Sequence, residues 1–260
     1  MTDPARIDFG RTAADYARHR QGLPDSLFAR LRERHGVGLP GQRVLDVGTG
    51  TGQMARGLAR GGARVTGLDR SAELLAAGAP LDRAAGVEVE RVCAPAEETG
   101  LADASFDVIS AAQCFLWLDQ PRACAEFRRL LAPGGRVVIA QLDWLPLPGS
   151  VPEATEALIL AHNPSWSLGG KDGLPTHFLR PLQDAGFVGL ETFSYDVDLA
   201  YTHEAWRGRI RASAAIAADA LGPEAVERFD REHAALLSER FPADPLAVPH
   251  RAFCILAGQS

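Results

Sequence analysis

From Arg43 to Leu142, short apolar runs alternate with segments that have the periodicity of a helix. The runs are interpreted as strands, and they lie at Arg43–Val47, Ala63–Asp69, Val87–Cys93, Phe106–Ala112 and Arg136–Leu142. The helical segments between them lie at Gln53–Arg60, Ala72–Ala79 and Pro121–Leu131. Strands that alternate with helices at this spacing are joined by right-handed crossovers into a parallel sheet with helices on both faces. The pattern therefore predicts a doubly wound α/β fold.

The pattern changes after residue 143. The stretch from Trp144 to Gly173 holds prolines, glycines and two tryptophans around one helical piece, Pro152–His162, and we interpret it as an inserted lid. Further helices are predicted at Thr176–Ala185, His203–Ala220 and Pro223–Arg240, and further strands at Val188–Leu199 and His250–Ala257. A chain of 260 residues with this organisation fits one domain, 1–260, with a core at about 40–142. Residues 1–39, 143–175 and 201–245 would then form a helical cap.

The charge balance bears on the kind of partner that the chain binds. A formal net charge of −6 argues against a large phosphate-binding surface, because nucleic-acid-binding proteins usually carry a basic patch. Arg207, Arg209 and Arg211 cluster locally, but their alternate spacing scatters them around a helix, and we interpret them as a solvated face. We therefore expect no nucleic-acid partner.

Cysteine use and hydropathy indicate the compartment. The four cysteines form no CxxC pair and stand in apolar or helical surroundings, which favours free thiols over disulfides or zinc ligands. No apolar run reaches the ~18 residues that a membrane span needs. The polar stretch from Met1 to Arg20 lacks the apolar centre of a signal peptide. The sequence thus predicts a cytoplasmic protein with no membrane partner and no metal.

A glycine-rich turn, Gly48-x-Gly50-x-Gly52, follows the first predicted strand. Such a turn lets the backbone approach a ligand closely at the carboxyl ends of parallel strands. Because position 53 is Gln, the GxGxxG pattern of dinucleotide-binding proteins is not satisfied, and a nicotinamide cofactor is disfavoured. Asp46, just before the turn, suits a cationic ligand such as S-adenosylmethionine (SAM), which carries an ammonium and a sulfonium. Asp69 ends the second strand, where a carboxylate can accept both hydroxyls of a ribose.

These features belong to a longer series of segments that resembles the class I SAM-dependent methyltransferase family. The segments are VLDVGTGTG, the strand-end Asp69, AEETGLADASFDVI and LLAPGGRVVIA, and they cover roughly residues 40 to 142 in the family's order. The resemblance is to small-molecule methyltransferases of the trans-aconitate type. It implies a Rossmann-like, mostly parallel seven-stranded sheet with a last antiparallel strand, and SAM as the cofactor.

The resemblance also implies which residues hold SAM. In the family, the glycine loop holds the methionine part of SAM, and the acid at the end of the second strand holds the ribose. Ala96 and Glu97 would lie beside the adenine, although Pro95 stands where many members carry an Asp that reaches the adenine amino group. Gln113, at the tip of the fourth strand, would contact the methionine moiety. The residues expected to bind the cofactor are Tyr16, Arg20, Asp46, Gly48, Thr49, Gly50, Gly52, Asp69, Arg70, Ala96, Glu97 and Gln113.

The segment from Phe9 to Arg20 resembles the leader that folds over the cofactor in this group. There, a Tyr and an Arg lie near the SAM carboxylate. Tyr16 and Arg20 are four residues apart and hence share one helical face, which suits a joint contact. A solvated amphipathic helix is the alternative interpretation.

Aromatic and imidazole side chains after the fourth strand and around the predicted lid are the candidates for acceptor binding. Leu116 stands where similar enzymes often have His, so a base at that position is absent. Tryptophans that wall a pocket, with a nearby His to deprotonate a hydroxyl or amine, would suit a planar acceptor. The alternative is that His162 caps its helix and that the tryptophans pack the lid onto the sheet. The candidates are His162 and His177 as bases, and Trp117, Trp144, Trp166 and Tyr195 as acceptor-binding residues.

A SAM-dependent methyltransferase that acts on O, N or C of a small-molecule metabolite is therefore the leading hypothesis. A SAM-fold protein without methyl transfer, such as a decarboxylase or hydroxylase variant or a binding module, is the alternative. A macromolecule methyltransferase is disfavoured, since Gln113-Cys114-Phe115-Leu116 replaces the Asn/Asp-Pro-Pro-aromatic motif of base-modifying enzymes. The identity of the small-molecule acceptor and the oligomeric state stay open.

Overall fold

A computed structural model describes residues 22–213, 216 and 221–259 of the chain. Its strands are β1 (Arg43–Val47), β2 (Arg64–Asp69), β3 (Val89–Cys93), β4 (Phe106–Ala112), β5 (Leu131–Trp144), β6 (Phe187–Tyr201) and β7 (Leu246–Gln259). Within these residues the strands form a seven-stranded sheet in the order β3-β2-β1-β4-β5-β7-β6. The pairs from β3 to β5 are parallel, and one strand of the described sheet is antiparallel. The predicted Rossmann-like architecture is confirmed.

Helices flank the strands, and polar caps mark where several of them begin. The helices described are α1 (Asp25–His35), α2 (Gln53–Arg60), α3 (Ala72–Ala84), α4 (Gln120–Leu130), α5 (Val151–His162), α6 (Leu179–Asp184), α7 (His203–Arg211) and α8 (Pro223–Arg240), with 3-10 turns at Phe115–Trp117 and Thr176–Phe178. Ser71, Asp119, Ser150 and Thr202 each precede a helix, and their side chains accept hydrogen bonds from its first turn. Among the described helices, none combines the length and the apolar character that a membrane crossing requires.

Several element ends differ from the sequence pattern, and two of them lie at prolines. α3 includes Pro80 and ends at Ala84, whereas the pattern predicts an end at Ala79. β5 begins at Leu131, whereas the pattern predicts a start at Arg136 after the proline and glycines. Proline removes one backbone donor, but the neighbouring residues keep their bonds. In β5 the chain stays alongside β4 with a register shift.

The packing divides the chain into two compact units. The core unit comprises the described residues of Gly22–Gln141, Pro175–Ser194 and Phe253–Ser260. The cap unit comprises the described residues of Leu142–Leu174 and Tyr195–Ala252. The sequence pattern assigned residues 1–39 to the cap, whereas α1 lies in the core unit.

The core unit is stabilised by apolar side chains that α1 and α2 pack against the sheet. Leu27 and Leu31 of α1 and Met54 and Leu58 of α2 are buried in one cluster with strand residues such as Val44. Residues four apart share a helical face, so each helix adds a row of side chains to this cluster. Burial of one such large side chain stabilises folding by about 1.5–3 kcal/mol. The cluster holds β1 and its neighbours in place, and the glycine loop leaves from the end of β1.

A buried indole, Trp206 of α7, lies at the centre of the cap unit. Its Nε1 donates to Thr155 Oγ1 of α5 at 3.0 Å, and Thr155 Oγ1 lies 3.1 Å from His233 Nε2 of α8. Because the Thr155 oxygen accepts from the indole, its own proton is available to the imidazole. Trp206 also packs edge-on against Tyr201, with ring centroids 5.3 Å apart. One chain of hydrogen bonds therefore connects α5, α7 and α8.

The arginines of α7 contact specific partners, and the interpretation of a solvated face was wrong. Arg207 and Arg211 both pair with Asp230 of α8, and their side chains are only 22% and 20% exposed. Because residues four apart share a helical face, both guanidinium groups reach the same carboxylate. Arg209 lies over the Trp144 ring at 5.1 Å from its centroid. Alternate spacing therefore divides these charges between two half-buried partners, Asp230 and the Trp144 ring.

We expect acid to destabilise the protein through His233 and His250 of the cap unit. Both are fully buried, and burial lowers the pKa of His233 to about 4 and that of His250 to about 3. In the unfolded chain, each of these histidines takes up a proton at about pH 6.5. The contribution of the two neutral histidines to the unfolding free energy is therefore complete above that pH. It is lost as the pH falls toward their pKa values in the folded protein. Each histidine should remove about 2 kcal/mol of unfolding free energy between about pH 7 and pH 5.

Guanidinium unfolding followed by tryptophan fluorescence across this pH range measures the loss. His250→Phe keeps an aromatic ring beside Tyr201, on which His250 stacks at 5.9 Å, and removes one titrating group. The variant should therefore lose less unfolding free energy on acidification than the parent protein. Equal losses in the two proteins would contradict the assignment to His250.

Candidate functional site

The glycine loop between β1 and α2 passes through left-handed backbone at alternate positions. Gly48, Gly50 and Gly52 have φ of +60°, +55° and +88°, which residues with a Cβ rarely adopt. A Cβ at Gly48 would lie 2.7 Å from Cys114 Cβ, and a Cβ at Gly52 would lie 3.0 Å from Arg56 Nη1. A Cβ at Gly50 would meet nothing within 4 Å. Gly50 is thus the position where the loop backbone faces open space and a ligand can approach it.

The Asp46 carboxylate is buried at the base of the glycine loop, with 1% exposure. Its Oδ2 accepts from Thr49 Oγ1, and its Oδ1 accepts from Ser110 Oγ of β4, both at 2.7 Å. Burial raises the pKa of Asp46 to about 6, while these bonds and the N–H of Ala55 oppose the rise. Both carboxylate oxygens of Asp46 accept hydrogen bonds from the protein, so this buried side chain connects the loop to β4.

Asp69 ends β2 beside the glycine loop. Its Oδ2 accepts the N–H of Gly50 at 2.8 Å, and its Oδ1 accepts the N–H of Ser71 at 2.9 Å. Each carboxylate oxygen keeps further lone-pair capacity beyond the bond that it already accepts. The carboxylate is thus oriented by the backbone next to Gly50, and its acceptor geometry fits adjacent hydroxyls of a ribose.

The expected adenine side of the site begins after β3. Ala96 is buried and Glu97 is half-buried, and Glu97 Oε1 accepts the N–H of Asp119 at 2.9 Å. Asp119 precedes α4, so this bond joins the segment after β3 to the start of that helix. Arg70 is exposed, and its carbonyl accepts a weak bond from Cys93 Sγ at 3.7 Å. Ala96 supplies a small apolar surface here, while Glu97 has a structural partner of its own.

The tip of β4 brings Gln113 and Cys114 to the glycine loop. Gln113 has φ of +64°, which is uncommon for a residue with a Cβ, and its N–H donates to the Ala140 carbonyl of β5. Cys114 Sγ donates to the Val47 carbonyl at 3.1 Å. Burial raises the pKa of the Cys114 thiol well above its usual range, and nearby carboxylates add to the rise. The thiol is therefore neutral and packs against the loop.

Ser110 and Cys114 are residues of this site that the sequence analysis missed. Ser110 is one of two polar residues in β4, and this break in the apolar run was a usable signal. The approach of Cys114 to Gly48 leaves no signal in the spacing, because it depends on β4 lying next to β1.

The open backbone at Gly50 and the carboxylate of Asp69 fit the parts of SAM. The space that a Cβ at Gly50 would enter is open and could take the methionine part, and Asp69 would offer acceptors to the ribose hydroxyls. Tyr16 and Arg20, which the resemblance places near the SAM carboxylate, lie outside the described residues.

The aromatic candidates for acceptor binding fall in both units. Trp117 is half-buried and ends the 3-10 turn after β4 in the core unit. In the cap unit, Trp144 Nε1 donates to Glu156 Oε1 at 2.7 Å. Trp166 and Tyr195 also belong to the cap unit and are half-buried. Three of the four candidates, Trp144, Trp166 and Tyr195, thus belong to the cap unit, and Trp117 belongs to the core unit.

The histidines considered as bases have different surroundings. His162 ends α5, where its Nε2 lies 2.8 Å from Glu232 Oε2 and its ring is edge-on to Phe229. The His162 side chain is 8% exposed. His177 belongs to the core unit, is exposed, and packs at a tilt against Phe178. The contacts of His162 support its alternative interpretation as a structural residue at a helix end, whereas His177 presents an accessible imidazole.

Comparison with known proteins agrees with this geometry. Residues 45–139 match a family model described as a methyltransferase domain. The ubiquinone biosynthesis O-methyltransferase of Cronobacter sakazakii is 34% identical over 177 residues, which are 62% of this chain and 69% of that protein. An uncharacterised methyltransferase of Mycobacterium bovis is 34% identical over 131 residues, and the match covers 50% of each protein. The solved structure of Haemonchus contortus phosphoethanolamine N-methyltransferase 2 with SAM has a TM-score of 0.56 at 19% identity, covering 97% of this chain and 60% of that chain.

The fold, the loop and these relatives together define the class of protein. The chain belongs to the class I SAM-dependent methyltransferase family, as the sequence predicts. SAM is its cofactor. The likeness to the Haemonchus enzyme, at 19% identity, shows the fold alone. The chain also spans only half the length of the mycobacterial relative.

Gly50→Ala should weaken SAM binding, because the new methyl group enters the open space beside the loop. Gly134→Ala is a matched control, since Gly134 also has a positive φ, +77°, and no heavy atom within 4 Å of a Cβ. Both variants should lose about 1–2 kcal/mol of stability to left-handed backbone. Calorimetry should show about tenfold weaker SAM binding for Gly50→Ala alone. Equal SAM affinities in both variants would mean that the cofactor does not approach Gly50.

Asp69→Asn should weaken SAM binding by about 1–3 kcal/mol, because an amide replaces one acceptor of the ribose hydroxyls. Methylthioadenosine and its 2′-deoxy analogue separate this effect from a general disturbance of the loop. The substitution should reduce the affinity for methylthioadenosine more than the affinity for the analogue, as measured by calorimetry. Equal reductions in affinity for the two ligands would contradict the assignment of Asp69 to the ribose hydroxyls.

Proposed function

We propose that this chain transfers the methyl group of SAM to a hydroxyl oxygen of a small-molecule acceptor. The observation that carries the choice of oxygen is the 34% identity, over 62% of this chain, to a ubiquinone biosynthesis O-methyltransferase. The match extends beyond residues 45–139, the part covered by the methyltransferase-domain model. Nitrogen and carbon acceptors are the alternatives that the sequence pattern left open.

The charge distribution supports a small acceptor over a nucleic acid. The chain has a formal net charge of −6. Within the described part of the cap unit, Arg207 and Arg211 are neutralised by Asp230 and Glu204. A surface that binds a phosphate backbone needs basic groups that are available to it. The helix α7 is therefore a poor nucleic-acid-binding element despite its arginines.

The chain's own residues would act mainly by positioning. When bound, SAM supplies a methyl group on a positively charged sulfur, which a nucleophilic oxygen can displace in line. Gly50 would admit the methionine part and Asp69 would hold the ribose, while Asp46 keeps Thr49 in place from inside. A preorganised loop would help to hold the cofactor for attack, and positioning of reacting atoms about 3 Å apart can supply much of a rate enhancement.

A hydroxyl acceptor carries a proton that must leave before or during the attack. We assign His177 as the base, because its imidazole is exposed in the core unit. His162 is the weaker candidate, because its Nε2 already contacts Glu232 and its ring packs edge-on against Phe229.

Isotope-labelled SAM, incubated with the purified protein and a panel of phenols, alcohols and amines, tests the proposal. Mass spectrometry of the products locates the methyl group, and we expect it on oxygen. Methylation of nitrogen, carbon or a macromolecule alone would overturn the proposal. SAM binding without transfer to any acceptor would instead favour the non-methylating alternative.

His177→Ala should lower turnover at neutral pH by about 10²-fold, because general base catalysis typically contributes at least that much. SAM affinity should stay unchanged, and turnover should recover at high pH, where a phenol loses its proton to water. His162→Gln is the matched control, which should lower thermal stability through loss of the Glu232 contact and keep turnover. Normal turnover in His177→Ala would contradict the assignment of His177 as the base, and positioning of the reactants would then be the main source of catalysis.

A further inference from the structure

A buried ion triad lies behind the glycine loop and joins elements that the sequence pattern did not connect. The loop triad consists of Arg56 of α2, Asp82 of α3 and Arg91 of β3. The Asp82 side chain is 6% exposed, and each arginine side chain is 13% exposed. Arg56 Nη1 lies 3.0 Å from Asp82 Oδ1, and Arg91 Nη2 donates to Asp82 Oδ2. One carboxylate thus holds two guanidinium groups inside the core unit.

The triad contacts the loop at the backbone oxygen of Thr51. Arg56 Nη1, the nitrogen that binds Asp82, also donates to the Thr51 carbonyl. Gly52 faces the same groups, because a Cβ there would lie 3.0 Å from both Arg56 Nη1 and Arg91 Nη2. The third glycine of the motif therefore leaves room for the triad, whereas Gly50 leaves room for a ligand.

A glycine on α3 lets that helix approach the loop from the other side. A Cβ at Gly78 would lie 2.5 Å from Arg91 Nη2 and 2.7 Å from the Thr51 carbonyl oxygen. No side chain larger than hydrogen fits between α3 and the loop at this point. The close approach brings Asp82, one turn further along α3, to the guanidinium group of Arg56.

The charge balance makes Asp82 the member on which the triad depends. Buried charges are tolerated when they are paired and hydrogen-bonded, and removal of one partner leaves the others uncompensated. Arg91 Nε and Nη1 have no hydrogen-bond partner among the described residues, so Asp82 is the carboxylate that holds this side chain. Loss of the Asp82 charge would leave Arg56 beside a second buried cation, and Arg56 would move away from Thr51.

We propose that the loop triad positions the glycine loop for SAM, with Asp82 as a positioning residue that acts through Arg56 and the Thr51 carbonyl. The other side-chain contacts described above hold Thr49 and the Gly50 N–H, so the triad supports the end of the loop that they do not reach. The proposal rests on SAM binding at this loop, and it is independent of the acceptor and of the atom that is methylated.

Calorimetric titration of the 260-residue chain with SAM, together with thermal unfolding, tests the proposal. Asp82→Asn and Arg56→Gln should each raise the Kd for SAM about tenfold or more. Arg56→Lys restores a charged donor and should bring the Kd back to within about threefold of the parent value. Asp107→Asn is the matched control, because its carboxylate pairs with Arg43 in the same unit and contacts no loop residue. It should lower the melting temperature and leave the Kd within about twofold.

A parent-like Kd in Asp82→Asn or Arg56→Gln, with only the melting temperature lowered, would overturn the proposal and make the triad a stability feature. Equal weakening by Arg56→Lys and Arg56→Gln would also overturn it, because the charged donor would then have no role at Thr51. If Asp82→Asn does not fold, the pair of Arg56 variants decides the question. A parent protein that binds SAM but methylates no hydroxyl would contradict the proposed function and leave this inference standing.

Discussion

The core unit depends on one buried carboxylate, that of Asp46. A charged group without water is costly unless protein donors replace the lost solvation. The donors here come from the loop through Thr49, from β4 through Ser110 and from α2 through the N–H of Ala55. One group thus links the strand that enters the loop, the neighbouring strand and the helix that leaves the loop. The loop backbone is consequently arranged before any ligand arrives, and little ordering is left for the cofactor to bring about.

The fold was largely predictable because its signals are local. Apolar runs, glycine turns and helix caps each lie within a few residues of the element that they define, and strands such as Phe106–Ala112 were placed at their observed ends. The family assignment succeeded for a similar reason, since the loop after Asp46 and the acid at Asp69 have characteristic spacing within neighbouring segments. Proline led to the wrong placement of two element ends. At Pro80 the helix continues, because a single missing donor does not outweigh the bonds on either side.

The contacts that arrange the site were not predictable, because they join residues far apart in the chain. Ser110 meets Asp46 across 64 positions, and that meeting requires β4 to lie beside β1. The arginines of α7 looked solvated on helical spacing alone, since nothing in their segment reveals Asp230 on another helix. The acceptor candidates suffered from the same limit. His162 has the sequence surroundings of a base but ends a helix against Glu232, and only packing distinguishes the two roles.

Different neighbouring groups limit the side-chain size at each of the three loop glycines, although the sequence motif has the same residue at all three positions. Cys114 leaves no room for a Cβ at Gly48, and two guanidinium groups leave little room for one at Gly52. Of the three, Gly50 alone faces open space. Evolution and protein engineering should therefore meet different constraints at each position. A larger residue at position 48 requires a smaller one at 114, and a larger residue at 52 requires a rearranged set at 56, 82 and 91. With SAM placed as proposed, a change that adapts the protein to an enlarged cofactor analogue would be made around Gly50, where the ligand would be the neighbour that limits the size.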